Sequence, residues 1–360
     1  MNNLVLVRSN DIIHDPRVGK TIRSLIKRYS VLALGWNREK FDNDKLKNYP
    51  TPVRCLGCRA SVGKPSLVLY YPVFWMWIFV QLIILRPTVV HACDLDTVIP
   101  CYLYRIIFHR KLVFDLYDRY ALAFIPSKYG MLCRFVNTLE EWFCRNTDVL
   151  IIVGDNVLHT FRVKPEQYVI IMNCPEFYQL ERDKSNAPVF TLVYTSNIAR
   201  QRGLEQLMEA IKNLEQVKLV IAGKVVDKAL YQQLLDISNV EYKGVLLPSD
   251  ALALEASANA IIILYDLAFP ANPNRTFIAM MFGVPLITNV LTQLVREVDC
   301  GIVVDYNDIN EIRSAIITLR DNPSLCKKYG DNGMKAALEK YNWNIMEQEL
   351  YKIYDGLLSN

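Results

Sequence analysis

Short apolar runs alternating with helix-length amphipathic stretches constrain this chain more than any other feature of it. The runs Leu4–Val7, Val31–Leu34, Thr88–His91, Leu112–Phe114 and Val149–Val153 are spaced widely enough for a helix between each pair. A parallel neighbour strand needs such a crossover, so the alternation predicts βα units and a parallel sheet. Asp15 as cap and Pro16 at the first helical position predict where the first helix begins. The pattern stops after residue 172, where Asn173-Cys-Pro-Glu-Phe leads into a polar stretch without periodicity.

It then restarts. Strands are expected at Thr191–Thr195, Lys218–Ala222, Val240–Tyr242, Ala260–Leu264, Pro285–Thr288 and Ile302–Val304, with helices at Leu204–Leu214, Asp227–Ile237, Ser249–Ala256 and Asn274–Phe282. The expected architecture is α/β, with two Rossmann-like, doubly wound domains at 1–172 and 190–340. A linker at 173–189 joins them, and a terminal crossover helix occupies 341–360. Open sheets of this kind bind ligands beyond the carboxyl ends of their strands, so two such domains facing each other predict a ligand cleft.

At 360 residues with 52% hydrophobic and 22% charged side chains, the chain is outside the disordered and low-complexity classes. Its formal charge of +4 divides unevenly. Residues 1–180 carry 23 Lys and Arg against 15 Asp and Glu, and residues 181–360 carry 18 against 22. No basic stripe interleaved with aromatics accompanies the surplus, so no nucleic acid is expected as a partner. Nine scattered cysteines without a signal peptide predict a reduced, cytosolic protein, and a lone Cys55-Leu-Gly-Cys58 lacks two zinc ligands.

Leu67–Leu85 runs nineteen residues without a charge, close to the ~20 that span a bilayer. Pro72 and Gln81 interrupt it, and a crossover helix between two strands is an alternative home. The preferred expectation is a buried helix with one membrane-touching face. Tyr70, Tyr71, Phe74, Trp75 and Trp77 suit a bilayer interface, and the basic first half adds attraction to anionic lipid.

Several motifs in order resemble those of family-4 retaining glycosyltransferases of the GT-B fold. They are Asp15-Pro-Arg-Val18, Leu34-Gly-Trp-Asn-Arg38, His91-Ala-Cys-Asp-Leu-Asp96 and Phe114-Asp-Leu-Tyr-Asp118 in the first half. In the second half follow Tyr194–Leu204, Val220-Ile-Ala-Gly-Lys224, Val240–Gly244, Asn272–Pro285 and Tyr341-Asn-Trp343. The resemblance covers essentially the whole chain. It implies a GT-B enzyme that moves a sugar from a nucleoside-diphosphate donor to a lipid-linked or polysaccharide acceptor with retention. Such an enzyme would work as a cytoplasmic protein, peripheral on the inner face of the membrane, without a metal or other cofactor.

The resemblance also places roles on residues. Arg202, with Arg200 assisting, matches the basic group set against the departing diphosphate, a task suited to a planar, always-charged guanidinium. Lys224 ends a strand beside the cleft, and Gly244 and Val245 match the segment along which the base rests. Asn274, Arg275 and Thr276 open a helix whose free N–H groups are an anion site. On the acceptor side stand His14 and Arg17. Asp94, Asp118 and Tyr117 are the catalytic candidates, although a helix cap for Asp94 or Asp96 and an ion pair for Asp115 are equally open.

Two positions depart from the family pattern. Its Glu-x7-Glu pair is replaced by Pro270 and Ile278, and Ile278 cannot accept a hydrogen bond from a ribose hydroxyl. Tyr117 stands where many relatives have His, and with an ordinary pKa near 10 it is a poor base. A catalytically inactive GT-B partner of another transferase is therefore an alternative, and a sugar-nucleotide epimerase is a second.

Overall fold

The computed structural model describes residues 3–10, 12–13, 15–38, 49–60, 67–177, 189–266 and 273–359. The chain divides into two compact units, one of Met1–Met172 with Met346–Asn360 and one of Asn173–Ile345. His14, Pro270 and residues 178–188 of the expected linker lie outside the described residues.

The first unit is a parallel sheet of β1 (Asn3–Val7), β2 (Ser30–Trp36), β3 (Val53–Leu56), β4 (Val89–Cys93), β5 (Lys111–Leu116), β6 (Val149–Ile152) and β7 (Val169–Ile170). The strands are ordered β3-β2-β1-β4-β5-β6-β7. The order reverses between β1 and β4, the switch point at which doubly wound sheets present a crevice. The crossovers are α1 (Pro16–Leu25), α2 (Leu67–Leu85), α3 (Leu95–Phe108), α4 (Tyr120–Phe124) and α5 (Gly130–Asn146). Asp15 caps α1, its carboxylate accepting from the N–H groups of Arg17 at 3.1 Å and Val18 at 3.2 Å. All five residues of β4 are buried, as expected of a central parallel strand covered on both faces.

The phase of α2 sets its role. Tyr71, Phe74, Ile78 and Leu82 recur at helical spacing and are buried, with Phe74 stacked on Trp36 at 4.7 Å between ring centres. Leu69, Val73, Met76, Val80 and Ile84 point outward. This corrects the expectation for the aromatics: Tyr71 and Phe74 belong to the core, and Trp75 donates its Nε1–H to the Asp96 carbonyl at 2.7 Å. The outward face is mainly aliphatic, with Tyr70 the exposed ring among its described residues, because Phe74 and Tyr71 turn inward against Trp36 of β2. Among the described residues no helix is long and apolar enough to cross a membrane.

The second unit holds β8 (Phe190–Thr195), β9 (Val217–Ala222), β10 (Val240–Tyr242), β11 (Ala260–Ile263), β12 (Leu286–Thr288) and β13 (Gly301–Val303). They are parallel, in the order β10-β9-β8-β11-β12-β13, with the reversal between β8 and β11. Its helices are α6 (Leu204–Ile211), α7 (Lys228–Leu235), α8 (Pro248–Ser257), α9 (Asn274–Met281), α10 (Thr292–Val298), α11 (Ile309–Asp321) and α12 (Pro323–Glu339). Gly283, at φ +61°, and Gly330 bring the end of α9 against α12; a Cβ on Gly330 would lie 2.2 Å from the Gly283 carbonyl oxygen.

The last helix, α13 (Trp343–Leu358), begins in the second unit, where the Trp343 N–H donates to the Pro175 carbonyl at 2.9 Å. From Met346 onward it packs on the first. Lys27 Nζ reaches Glu347 at 2.7 Å, and the Tyr351 hydroxyl donates to the Ser24 carbonyl at 3.0 Å.

Candidate functional site

The switch point of the first unit gathers charge that a protein interior accepts only when paired. Arg8 directly follows β1, and Asp94 directly follows β4. The Arg8 guanidinium binds Asp15 at 3.0 Å and makes a short contact with Asp94. The other Asp94 oxygen accepts from the backbone N–H of Tyr117 at 2.9 Å and of Asp118 at 3.4 Å. Asp94 thus ties the ends of three strands together.

Two properties separate Asp94 from an ordinary structural carboxylate. Its backbone sits at φ 66° and ψ 169°, a region nearly reserved for glycine, where another residue costs about 1–3 kcal/mol. Burial also pushes its pKa up to about 7, against the pull of Arg8 and with help from Asp118 and Asp96. Strain and a shifted pKa at one strand end mark a functional group. Asp94 precedes α3 but makes no side-chain cap bond to it.

Asp96, two residues on, is held differently. It takes a short hydrogen bond from the Ser9 hydroxyl, one from the Tyr71 hydroxyl at 3.1 Å, and lies 3.7 Å from Arg38. Asp115 is an ion-pair residue. Arg17 grips it through Nε at 3.3 Å and a terminal nitrogen at 2.8 Å, and the His91 ring nitrogen Nε2 lies 3.3 Å away. The Arg17 charge and the contact with the His91 ring hold the Asp115 carboxyl below its usual range in spite of burial. The opposite His91 nitrogen is 2.5 Å from the Tyr354 hydroxyl of α13.

Arg17 belongs to the first helix, as the Asp15-Pro16 start predicts. It is the second residue of α1, buried, with its last nitrogen donated to the Ile171 carbonyl at 2.8 Å. The guanidinium carbons of Arg8 and Arg17 lie 4.6 Å and 4.8 Å from the centre of the half-buried Tyr117 ring, whose hydroxyl donates to the Cys93 sulfur at 3.3 Å. Burial drives its pKa well above the usual phenol value, so Tyr117 shapes the crevice and keeps its proton. Asp118 is exposed beside it.

In the second unit the reversal lies between β8 and β11. Arg202 sits in the turn before α6 with its guanidinium carbon 4.4 Å from the centre of the Tyr265 ring, a cation–π contact. Its carbonyl accepts from the Tyr194 hydroxyl at 3.2 Å. Gly203 follows at φ +63°, where a Cβ would strike Leu264 at 2.3 Å. Arg200 faces solvent and is engaged by Glu205 at 2.5 Å and Asp227 at 2.8 Å. Beyond β9, Gly223 permits a close approach, since a Cβ there would fall 2.0 Å from the Ser196 carbonyl oxygen. Its N–H donates to the Gly244 carbonyl at 2.9 Å, and the Lys224 carbonyl accepts from Ile198 at the same distance. Gly244, at φ +77°, is half-buried with open space where a Cβ would stand, and Val245 beside it is 73% exposed.

The amino end of α9 has no side-chain cap. Asn274 and Arg275 are half-buried, and Thr276 is fully buried with its Oγ1 lacking a hydrogen-bond partner among the described residues. An uncapped helix end beside a strand switch point is an anion-binding geometry. Arg275 Nε donates to the Thr195 hydroxyl at 2.6 Å and lies 3.2 Å from buried Glu255, which also accepts a short bond from Thr195. Ile278, one turn into α9, is buried and apolar.

Arg8, Thr195 and Glu255 join the site without standing out in the sequence. Arg8 and Thr195 carry a positional signal, since each stands at the end of the strand next to a reversal. Glu255 carries none, because only the fold brings it across to Arg275.

Residues 189–322 match the family described as "Glycosyl transferases group 1". The chain is 25% identical over 188 residues to the capsular polysaccharide biosynthesis glycosyltransferase CapM of Staphylococcus aureus, an alignment covering 47% of each chain. It spans about half the length of the curated relatives it matches. Sucrose-phosphate synthase from Thermosynechococcus elongatus superposes with a TM-score of 0.82 over all of both chains at 16% identity. Anabaena Alr3699/HepE in complex with UDP does so with a TM-score of 0.78, covering 99% of this chain and all of that one at 15% identity. The fold is GT-B.

Proposed function

We propose that this GT-B chain is a retaining glycosyltransferase that moves a sugar from a nucleoside-diphosphate donor to a lipid-linked or polysaccharide acceptor. One observation carries the reading: the segment that matches group 1 glycosyltransferases is the unit whose switch point offers an uncapped helix end and Arg202. The capsular relative at 25% identity supports a glycan-building role, and the neighbour solved with UDP supports a nucleoside diphosphate as leaving group.

In this reading the diphosphate lies against the amino end of α9, with Thr276 and Asn274 as donors and Arg202 neutralising the charge that grows as the glycosidic bond breaks. Gly223 lets backbone and sugar approach closely, and the base rests on Gly244 and Val245. Arg275, held by Glu255 and Thr195, keeps the helix end in place. Arg200, already tied to Glu205 and Asp227 at the surface, supplies long-range charge.

The acceptor hydroxyl binds in the first unit near Asp94 and Asp118. The bond from the anomeric carbon to the phosphate oxygen breaks, and a bond to the acceptor oxygen forms on the same face. The acceptor's proton passes to Asp94 or to the departing phosphate. Cationic side chains meet the leaving group, so the reaction is written without a metal. The exposed apolar side chains of Leu67–Leu85 support a peripheral enzyme on the cytoplasmic face of the membrane.

A panel of nucleoside-diphosphate sugars, offered with polyprenyl-diphosphate-sugar acceptors and followed by mass shift, tests the assignment. The expected result is saturable binding of one donor and an acceptor heavier by one sugar residue. No saturable binding at millimolar donor overturns it in favour of an inactive partner subunit.

A further inference from the structure

Solitary exposed apolar side chains are normal on a protein surface, but several on neighbouring helices form a patch that serves a partner. The first unit carries such a set. Helices α2, α3 and α5 connect β3 to β4, β4 to β5 and β5 to β6, all stepping the same way along the sheet. Right-handed crossovers in one direction place their helices on one face. Trp75 of α2 hydrogen-bonds the Asp96 carbonyl of α3, and Tyr102 of α3 packs on Trp142 of α5 at 5.0 Å, so the three lie side by side. Met76 and Ile84 of α2, Ile107 of α3 and Met131 and Phe135 of α5 are exposed, Met131 at 87%, and Phe124 of α4 stands beside them.

The patch reaches the site. Residues 117–135 leave the carboxyl end of β5, the end that carries Tyr117 and Asp118. This segment is anchored from below: buried Arg119 binds Glu140 at 2.6 Å and Glu141 at 3.0 Å, and Glu140 accepts from the Tyr120 N–H at 2.9 Å. Phe124 and Met131 are therefore displayed on a fixed base.

Charge decides what covers the patch. Between residues 67 and 148 the acids Asp94, Asp96, Asp115, Glu140 and Glu141 are buried, Asp148 is taken by Arg105 at 2.7 Å, and exposed Asp118 stands at the site. Arg86, Arg110, Lys128, Arg134 and Arg145 stay exposed around the apolar faces. A second copy docking symmetrically would set this basic rim against itself. An anionic bilayer meets both the rim and the aliphatic surface.

We infer that the outer faces of α2, α3 and α5, led by Phe124, Met131 and Phe135, form one docking surface for an anionic lipid bilayer, and that a lipid-borne acceptor reaches Asp94 and Asp118 along the edge formed by residues 120–135. The second half of this inference rests on the transferase reading, whereas the docking surface does not.

Co-sedimentation of the full chain with vesicles of phosphatidylcholine containing phosphatidylglycerol, without donor or acceptor, tests the surface by itself. The expected result is binding that falls at least about ten-fold in a Phe124→Ser, Met131→Ser, Phe135→Ser triple variant, whose urea midpoint stays unchanged because all three side chains are exposed. An Arg110→Gln, Arg134→Gln, Arg145→Gln variant should lose affinity for anionic vesicles and show no change on pure phosphatidylcholine. In turnover, the serine variant should lose activity on a long-chain polyprenyl acceptor and keep it on a short-chain, water-soluble one. Failure of the wild type to bind vesicles, equal binding by the serine variant, or wild-type dimers that the serine variant abolishes would each overturn the docking surface. Vesicle binding with no transfer to any acceptor would leave the surface standing and overturn the transferase reading.

Discussion

Asp94 offers a sharp test because its backbone and its carboxylate can be perturbed separately. At φ 66° and ψ 169° any residue with a Cβ is strained by about 1–3 kcal/mol, and glycine is not. At ordinary positions in helices or strands glycine is the worse choice by roughly 0.5–1 kcal/mol, since it loses more chain entropy on folding. Asp94→Ala and Asp94→Gly lose the same contacts, namely the pair with Arg8 and the bonds from the Tyr117 and Asp118 N–H groups. Those losses cancel in the comparison and leave the strain minus the entropy. Taking the middle of each range, about 2 kcal/mol of strain less about 0.75 kcal/mol of entropy, Asp94→Gly should be more stable than Asp94→Ala by roughly 1 kcal/mol, the reverse of the usual order. For a unit of this size that is roughly 2–4 °C in melting temperature. Urea unfolding followed by tryptophan fluorescence, with equal slopes for the two variants, measures the difference as a shift in midpoint. An alanine variant as stable as the glycine variant, or more so, would refute the strain at residue 94 and with it the view that the native aspartate is kept there at a cost.

Two further outcomes follow from the same geometry. Arg202→Ala should weaken donor affinity at least about ten-fold, or 1.4 kcal/mol, in a titration followed by calorimetry, and an unchanged Kd would remove Arg202 from the diphosphate site. With its pKa raised to about 7, Asp94 is protonated below that pH and unable to accept a proton, so kcat/KM should rise with pH through an apparent pKa about 7. Asp94→Asn should lose that limb while Glu140→Gln, a carboxyl also raised to about 7 by burial, keeps it; the opposite pattern would assign the titration to Glu140.

Apolar runs at strand length and Asp15-Pro16 at a helix start are local signals, and local signals are legible in the chain order alone. The strand Val53–Leu56 gives no such signal, since its residues are only partly buried and lack a clean pattern. The identity of the charged candidates at strand ends is also legible, because a doubly wound sheet presents its strand ends at one edge.

Which of those residues face a ligand and which face one another was decided only by the tertiary structure. Arg17 reads as an acceptor-side cation until Asp115, ninety-eight positions away, takes its guanidinium. Glu255 has no signature of its own, and its contact with Arg275 exists because the crossovers into and out of β11 step the same way along the sheet and set α8 and α9 side by side on one face. The phase of α2 is the same kind of fact. Nineteen uncharged residues determine that the segment is apolar, and the core that Phe74 shares with Trp36 determines that Phe74 goes inward and Met76 outward. Periodicity lies along the chain, whereas desolvation and ion pairing depend on neighbours far apart in it, so the sequence alone determined the strongly patterned elements and their order, and the tertiary structure decided the partners and the charges they share.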